Sequence, residues 1–305
     1  MKATVLLNAS AGSGAVSEGA ATVARVREAF QRAKLEAEIL AISHESIPAA
    51  ARKAAVSDAD VVVLGGGDGT LSAGAAALVG SHKPLGILPL GSLNHFAKDV
   101  GIPLDLDQAV GTIERAYVTE VDVGEVNGRI FLNNSSIGLY PSAVAQREEL
   151  RHRRGGGKWP AMLNACVDVF RRFPLLDVIL QVDDRAVALT TPFVFVGNNR
   201  YDMSLFSLGT RTSLQGGELS IYLTRNAGRM GLLRLFFRAL VGRLEQDRDF
   251  HSVVLPEVAI RTRRRSLRVS LDGEVVRMAS PMRYIIRPRA LRVLAPMPDA
   301  APGEP

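Results

Sequence analysis

The apolar run Val61-Val62-Val63-Leu64 passes directly into Gly65-Gly66-Gly67-Asp68-Gly69-Thr70, and this junction restricts the fold more than any other segment. Four apolar residues, three of them β-branched, predict a short buried strand. The glycines let the backbone bend and approach another group where a Cβ would collide. Amides in such a turn suit phosphate oxygens, while Asp68 can face a metal ion or a hydroxyl. A helix-compatible stretch from Thr70 to Leu78 puts the first free amides of a helix at the same place, which favours an anion. Gly66, Gly67, Asp68, Gly69 and Thr70 are therefore candidate nucleotide-phosphate contacts. Neither commoner nucleotide loop is present: no G-x-x-x-x-G-K-[ST] sequence occurs, and Gly65, Gly67 and Thr70 do not complete G-x-G-x-x-G.

The flanking sequence predicts an α/β lobe around this junction. Ala3 to Leu7, Glu36 to Ile42, Val61 to Leu64 and Pro84 to Leu88 read as strands, with Glu18 to Leu35, Ile47 to Ser57 and Asp107 to Ala116 as helices. Strands alternating with helices predict a Rossmann-like parallel sheet covered by helices. Two further loops follow predicted strands: Asn8-Ala9-Ser10-Ala11-Gly12-Ser13-Gly14, and Pro89-Leu90-Gly91-Ser92-Leu93-Asn94-His95-Phe96-Ala97. Loops at the carboxyl ends of parallel strands converge on one crevice. Asn8, Ser10, Gly12, Gly91, Ser92 and Asn94 thus join the residues from Gly66 to Thr70 in one predicted site.

The pattern changes after Val121. Arg129 to Asn133, Val178 to Val182, Phe193 to Val196, Glu218 to Leu223, Val253 to Ile260, Ser266 to Leu271 and Tyr284 to Ile286 are short runs between turn residues. They predict a mostly antiparallel, β-sandwich-like C-terminal lobe. The expected organisation is an α/β lobe over 1–122, a β-rich lobe over 123–295 whose last residues have room to return to the first, and a flexible tail over 296–305. Lys158 to Phe170 and Met230 to Glu245 read as helices within the second lobe. In the latter, Leu232 to Val241 beside Arg234, Arg238 and Arg243 suits either a core-facing helix or one lying on an anionic bilayer.

Charge divides the same way. Residues 1–122 hold 10 Lys+Arg and 14 Asp+Glu, and the remainder holds 27 and 17, so the net +6 resides in the second half. Arg147, Arg151, Arg153, Arg154 and Lys158 form one basic cluster, and Arg261, Arg263, Arg264, Arg265 and Arg268 another. Each reads as a solvated face or as a contact for an anionic surface such as a membrane. No helix-turn-helix, zinc-finger or aromatic RNA-platform pattern accompanies them, which predicts no nucleic-acid partner. The single Cys166 excludes an internal disulfide. Asn8 interrupts the first apolar run after five residues, too soon for a signal peptide, and no run reaches 18 apolar residues. A cytoplasmic protein, with peripheral contact at the inner membrane surface, is the expectation.

These motifs together resemble the diacylglycerol kinase catalytic family, in its bacterial lipid kinase branch, which is also similar to sphingosine kinases and related to NAD kinase. Asn8-Ala9-Ser10-Ala11-Gly12 resembles the opening N-P-x-[SA]-G, with Ala9 in place of proline. Gly66-Gly67-Asp68-Gly69-Thr70 matches G-G-D-G-T. Pro89 to Ala97 resembles P-L-G-T-x-N-D-F-A, with Ser92 for threonine and His95 for aspartate, and Asp272-Gly273-Glu274 matches D-G-E. The resemblance implies an ATP-dependent kinase with a nucleotide-binding N-terminal lobe, a lipid-binding β-rich lobe and a cleft between them. ATP and Mg²⁺ are the implied cofactors, and a lipid alcohol is the implied acceptor. On this reading Asp68 orients metal or hydroxyl, the glycine loops and Thr70 contact phosphates, Ser92 and Asn94 contact the nucleotide, Asp272 is the general base, and Glu274 supports the metal.

Two departures stand out. Ser72-Ala73 occupies the place where the family commonly has N-E. Gln215-Gly216-Gly217-Glu218-Leu219-Ser220-Ile221 lacks the leading acids of the family's D-D-G-x-L-D-V loop. Two alternatives follow: a kinase of a small soluble alcohol or NAD-like acceptor, and a nucleotide-responsive binding protein without turnover.

Overall fold

The computed structural model describes residues 1–9, 16–138, 175–182, 185–201, 211, 213–224 and 250–298. They belong to two compact units, Met1–Val121 with Arg289–Pro305, and Asp122–Pro288. The expected helices over 158–170 and 230–245, and the tail beyond residue 298, lie outside the described residues.

The first unit is α/β, with β1 (Lys2–Asn8), α1 (Val16–Arg32), β2 (Glu36–Ile42), α2 (Ile47–Ala55), β3 (Val61–Gly66), α3 (Asp68–Ala75), β4 (Leu85–Pro89), α4 (His95–Val100) and α5 (Leu106–Arg115). Its strands are parallel in the order β2-β1-β3-β4. All of β3 is buried, as expected of a central parallel strand covered on both faces, and this is why it reads as an unbroken apolar run. Val26 and Phe30 of α1, Ile47 and Ala51 of α2, Leu71 of α3 and Val110 and Ile113 of α5 complete the core. The N-cap of α5 is Asp105, whose carboxylate accepts from Gln108 N–H at 3.1 Å. Asp107, the residue that marks the helix start in the sequence, instead pairs with Arg32.

Strand β3 extends through Gly65 and Gly66, and α3 begins at Asp68 and ends at Ala75. The bend is therefore confined to Gly67, and Asp68 is a first-turn residue, two positions earlier than the sequence predicts. Acidic first-turn residues complement the partial positive charge of a helix N-terminus.

The second unit begins in β5 (Val118–Val126) and contains β6 (Arg129–Phe131), β7 (Asn134–Gly138), β8 (Leu176–Val182), β9 (Arg185–Thr191), β10 (Phe193–Asn198), β11 (Leu219–Thr224), β12 (Phe250–Leu255), β13 (Glu257–Thr262), β14 (Ser266–Leu271), β15 (Glu274–Ala279) and most of β16 (Met282–Leu294). An antiparallel sheet runs β12-β11-β10-β7-β14-β15, and β16-β13-β8-β9 pair antiparallel beside it. Side chains from both, including Ile137, Val194, Val196, Ile221 and Val269 from one and Val178, Val258, Ile260 and Met282 from the other, share one buried core. Aromatic edges meet there: Phe131 stands at 72° to Tyr284, with ring centroids 6.3 Å apart. Tyr284 and Ser135 share a buried hydroxyl contact of 2.9 Å, and burial pushes the phenol up to about 12.

Three predicted runs change form. Val253 to Ile260 is two strands, β12 and β13, in different sheets. Pro256 divides them, because proline cannot donate to a ladder, and its carbonyl instead accepts from Ile286 N–H. Arg129 to Asn133 breaks after Phe131, and β7 starts at Asn134. Tyr284 to Ile286 is a short part of the 13-residue β16. That strand pairs antiparallel with β13 at its start and parallel with β4 at Val293.

Candidate active site

In the first unit the strand ends bring the predicted loops together. Leu7 pairs with Gly65, and Gly65 with Leu88, so Asn8, Gly67 and Leu90 lie together at the carboxyl ends of adjacent strands. Three sets of contacts then join the loops. Asn8 Nδ2 donates to Thr70 Oγ1 at 3.0 Å, linking the first loop to the second. Leu90 N–H donates to Gly66 carbonyl at 3.1 Å, linking the third to the second. The Asp68 carboxylate accepts from the His95 and Phe96 N–H groups at 3.1 and 3.0 Å.

That last contact caps a helix from another loop. Asn94 occupies the N-cap of α4 in a left-handed conformation (φ 52°, ψ 45°) and makes no side-chain capping bond. Asp68 satisfies two first-turn amides of α4 instead, through charge-assisted hydrogen bonds. The buried Asn94 side chain is turned onto its own loop: Oδ1 accepts from Gly91 N–H at 3.0 Å, and Nδ2 donates to the carbonyls of Gly91 at 2.8 Å and Pro89 at 3.2 Å.

Glycine is required where the second and third loops touch. A Cβ on Gly91 would overlap the Gly67 Cα and crowd Asn94 Oδ1. The close approach of these two backbones explains glycine at both positions better than a demand for unusual dihedrals, since Gly67 is extended (φ −90°, ψ −175°). Asn8, Gly67, Asp68, Gly69 and Gly91 are half-buried, Thr70 is buried, and Ser92 is exposed. Ser10 and Gly12 lie outside the described residues.

Asp272 belongs to the second unit. With Gly273 it forms the two-residue turn joining β14 to β15, both residues having positive φ (48° and 90°), as a primed hairpin turn demands. Its carboxylate is held by three consecutive backbone donors: Leu132 N–H at 2.7 Å, Asn133 N–H at 2.8 Å and Asn134 N–H at 2.9 Å. Its own N–H returns to the Asn134 carbonyl at 2.9 Å. Glu274, two residues on, is exposed on β15. Among the described residues no three His, Cys, Asp or Glu side chains gather into a metal-holding group.

Below the Asp272 cradle lies a buried polar network that the sequence reading does not single out. Asn198, fully buried, donates from Nδ2 to the carbonyls of Asp122 and Leu132 at 2.9 and 2.8 Å. Arg211 donates to the Leu132 carbonyl at 2.6 Å and to Asn133 Oδ1 at 3.1 Å. The segment whose amides hold Asp272 is thus itself held through its carbonyls. Asp122, also fully buried, accepts from Gly217 N–H at 2.7 Å, so the 215–221 loop is anchored by an acid of β5. A lone carboxylate in the apolar run Val121-Asp122-Val123 is the signal that could have found it, because a buried charge demands partners.

Comparison with known proteins bears on this architecture. The diacylglycerol kinase catalytic domain matches residues 2–126, and the YegS C-terminal NAD kinase beta sandwich-like domain matches residues 137–295. A probable lipid kinase YegS-like protein of Pseudomonas syringae pv. tomato is 33% identical over 239 residues, 77% of this chain and 75% of its own length. One from Pseudomonas aeruginosa is 30% identical over 254 residues, 77% and 76% of the two chains. The diacylglycerol kinase of Bacillus subtilis is 36% identical over 87 residues, 28% of this chain and 29% of that one. The crystal structure of a diacylglycerol kinase from Bacillus anthracis shares the fold, with a TM-score of 0.67 and 20% identity over 96% of each chain.

Proposed function

The chain belongs to the diacylglycerol kinase catalytic family, in its YegS-like lipid kinase branch, and on that premise we propose that it transfers the γ-phosphoryl group of ATP to a hydroxyl of diacylglycerol, a sphingoid base or a related lipid. The observation that carries this reading is the junction of three loops at the carboxyl ends of β1, β3 and β4, fixed by Asn8 to Thr70, by Asp68 to α4 and by the Gly67 to Gly91 approach.

The α3 N-terminus and the backbone around Gly67 and Gly69 supply amides for the phosphates. Phosphoryl transfer needs little covalent chemistry from a protein; it needs charge stabilisation and alignment of the accepting hydroxyl with the phosphorus. The Asp68 tie to α4 fixes the third loop against the second, so the phosphate-facing amides need not reorganise as charge develops. Asp272 is the proposed general base, and its three amide donors fix the carboxylate so that its direction is set before the acceptor arrives. Mg²⁺ when bound neutralises phosphate charge, and such an ion is commonly held by one or two carboxylates together with the phosphates. Asp68 carries that expectation in the first unit, and Glu274 carries it in the second. Ser92, exposed beside the tightly bonded Asn94, is the third-loop side chain proposed to meet the nucleotide; Ser10 and Gly12 carry the same expectation on the first loop.

Among the described residues no helix is long and apolar enough to cross a membrane. With a lipid acceptor, the proposal places the chain in the cytoplasm, touching an anionic membrane surface from outside the bilayer.

The test is incubation of the purified protein with Mg²⁺, ATP labelled at the γ position, and a panel of lipid and soluble alcohols. The expected product is a labelled lipid phosphate. Label appearing only in soluble alcohols would favour the second reading, for which the likeness of residues 137–295 to an NAD kinase-type domain speaks. ATP binding with no transfer to any acceptor would leave a nucleotide-responsive binding protein.

A further inference from the structure

The connection from β13 to β14 carries one sign of charge into the open. Arg261, Arg263, Arg264, Arg265 and Arg268 are all exposed, as is Arg277 on the neighbouring β15. Their acidic relief among the described residues is slight: Asp177 pairs with Arg263 at 3.3 Å, and both side chains are largely or half exposed. Arg268 and Arg277 stand directly opposite each other in the β14–β15 ladder. Like charges at opposed positions disfavour the sheet, so this arrangement is one that an anion relieves.

The turn bearing them is well tied. Thr262 Oγ1 donates to the Arg264 carbonyl at 2.9 Å, and Ser280 N–H donates to the Arg265 carbonyl at 3.0 Å. Successive residues of the turn are shared between two open concavities. One, of about 480 Å³, is lined by Arg261 and Arg263 with Asp177, Ile179 and Ala188. The other, of about 310 Å³, is lined by Arg264, Arg268 and Arg277 with Leu176 and Gly138. Apolar groups reach solvent beside the charges: Leu175, just before β8, is 50% exposed and Ile179 is 41% exposed.

Residue type narrows the partner. Lys158 is the last lysine of the chain, so this cluster is built only from arginine. The guanidinium fork matches two phosphate oxygens at once, is weakly hydrated and keeps its charge at any physiological pH. Exposed apolar side chains among arginines suit the boundary between head groups and acyl chains, where charge and apolar contact act together.

We propose that the Arg261–Arg277 end of the second unit is a docking surface for anionic phospholipid head groups, with the two concavities receiving phosphates and Leu175 and Ile179 meeting the acyl boundary. The proposal rests on the lipid-kinase reading for its purpose, and its test is independent of turnover.

The full chain is sedimented with vesicles of phosphatidylcholine alone and of phosphatidylcholine mixed with phosphatidylglycerol, at about 0.1 M and about 0.5 M salt, where the screening length shortens from roughly 10 Å to a few ångströms. Wild type should bind the anionic vesicles, scarcely bind the neutral ones, and lose binding at the higher salt. Replacing Arg264, Arg268 and Arg277 together by alanine should weaken binding by about a hundredfold, given about a factor of five for each arginine at an anionic surface. The matching lysine triple variant, which keeps the charge, should retain most of it. Phosphoryl transfer to a short-chain, monodisperse acceptor should be the same in all three proteins.

Equal binding to neutral and anionic vesicles would overturn the proposal, as would undiminished binding by the alanine variant. Tighter binding to an RNA homopolymer than to anionic vesicles at the same salt would assign the surface to nucleic acid and overturn it too. Absence of transfer to every acceptor with vesicle binding intact would remove the kinase reading and leave the docking surface standing.

Discussion

Asn8, Asp68 and Gly91 of the first unit are held by contacts among three loops, whereas Asp272 of the second is held by backbone amides 138 to 140 residues earlier in the chain. In the first case the side chains and glycines of the motifs do the fixing themselves. In the second the motif supplies one carboxylate, and a strip with no motif supplies the rest. A short sequence motif can thus encode either a whole local geometry or only the group that another part of the chain must aim.

The largest expected effect is at Asp272. Asp272→Asn should lower kcat by about a hundredfold to ten-thousandfold, the range for loss of a general base. It should also lower unfolding stability by about 1–3 kcal/mol, because an amide NH₂ would face backbone donors where a carboxylate accepts them. Single-turnover kinetics and urea denaturation read the two separately. A stability loss with unchanged kcat would make Asp272 a tether of the β14–β15 turn alone, and would break the comparison in favour of a wholly structural second-unit element.

Gly91→Ala probes the loop junction. Its methyl must displace the Gly67 backbone, at about 1–3 kcal/mol of strain, and where ATP binding needs the undisplaced loop the same energy raises its Kd by up to about a hundredfold. Calorimetric titration with ATP is the measurement, and affinity equal to wild type would show that the Gly67 to Gly91 approach has no bearing on the nucleotide.

An effect confined to alkaline pH separates the sandwich core from both sites. Tyr284 has its folded-state pKa raised from 10.0 to about 12 by burial. Below pH 10 the phenol is neutral in both states and its contribution is complete. Above pH 10 the unfolded chain ionises first, so stability falls with rising pH until the folded phenol also ionises near 12, by roughly 2–3 kcal/mol in all. Tyr284→Phe should flatten this part of the stability curve. An identical alkaline slope in the variant would show that other groups govern it.

Much of the first unit is legible from sequence: Val61 begins β3, where a parallel strand buried on both faces gives an unbroken apolar run, and Glu36–Ile42 coincides with β2, an edge strand with no buried residue. The strand through Gly65 and Gly66 escapes, since glycine carries no apolar signal and its place there is set by neighbours in space. Thr70 contacts, for instance, leave no room for a Cβ on Gly66. In the second unit β5, β9 and β15 escape because their residues mix charge, alanine and β-branched side chains. Two hairpin signals stood in the sequence: Asn127-Gly128 joins β5 to β6, and Asp272-Gly273 joins β14 to β15, each with positive φ at both positions. The amides of Leu132, Asn133 and Asn134 had no such signal, because a backbone N–H is common to almost every residue and only the fold selects which three surround a carboxylate.

The kinase reading stands or falls on whether the loops after β1, β3 and β4 hold the nucleotide. A crystal structure with Mg²⁺ and a non-hydrolysable ATP analogue decides this. The triphosphate should lie against the amides of Gly67 and Gly69 and the Thr70 hydroxyl, bordered by Asn8 and Gly91. A triphosphate bound away from all three loops would contradict it.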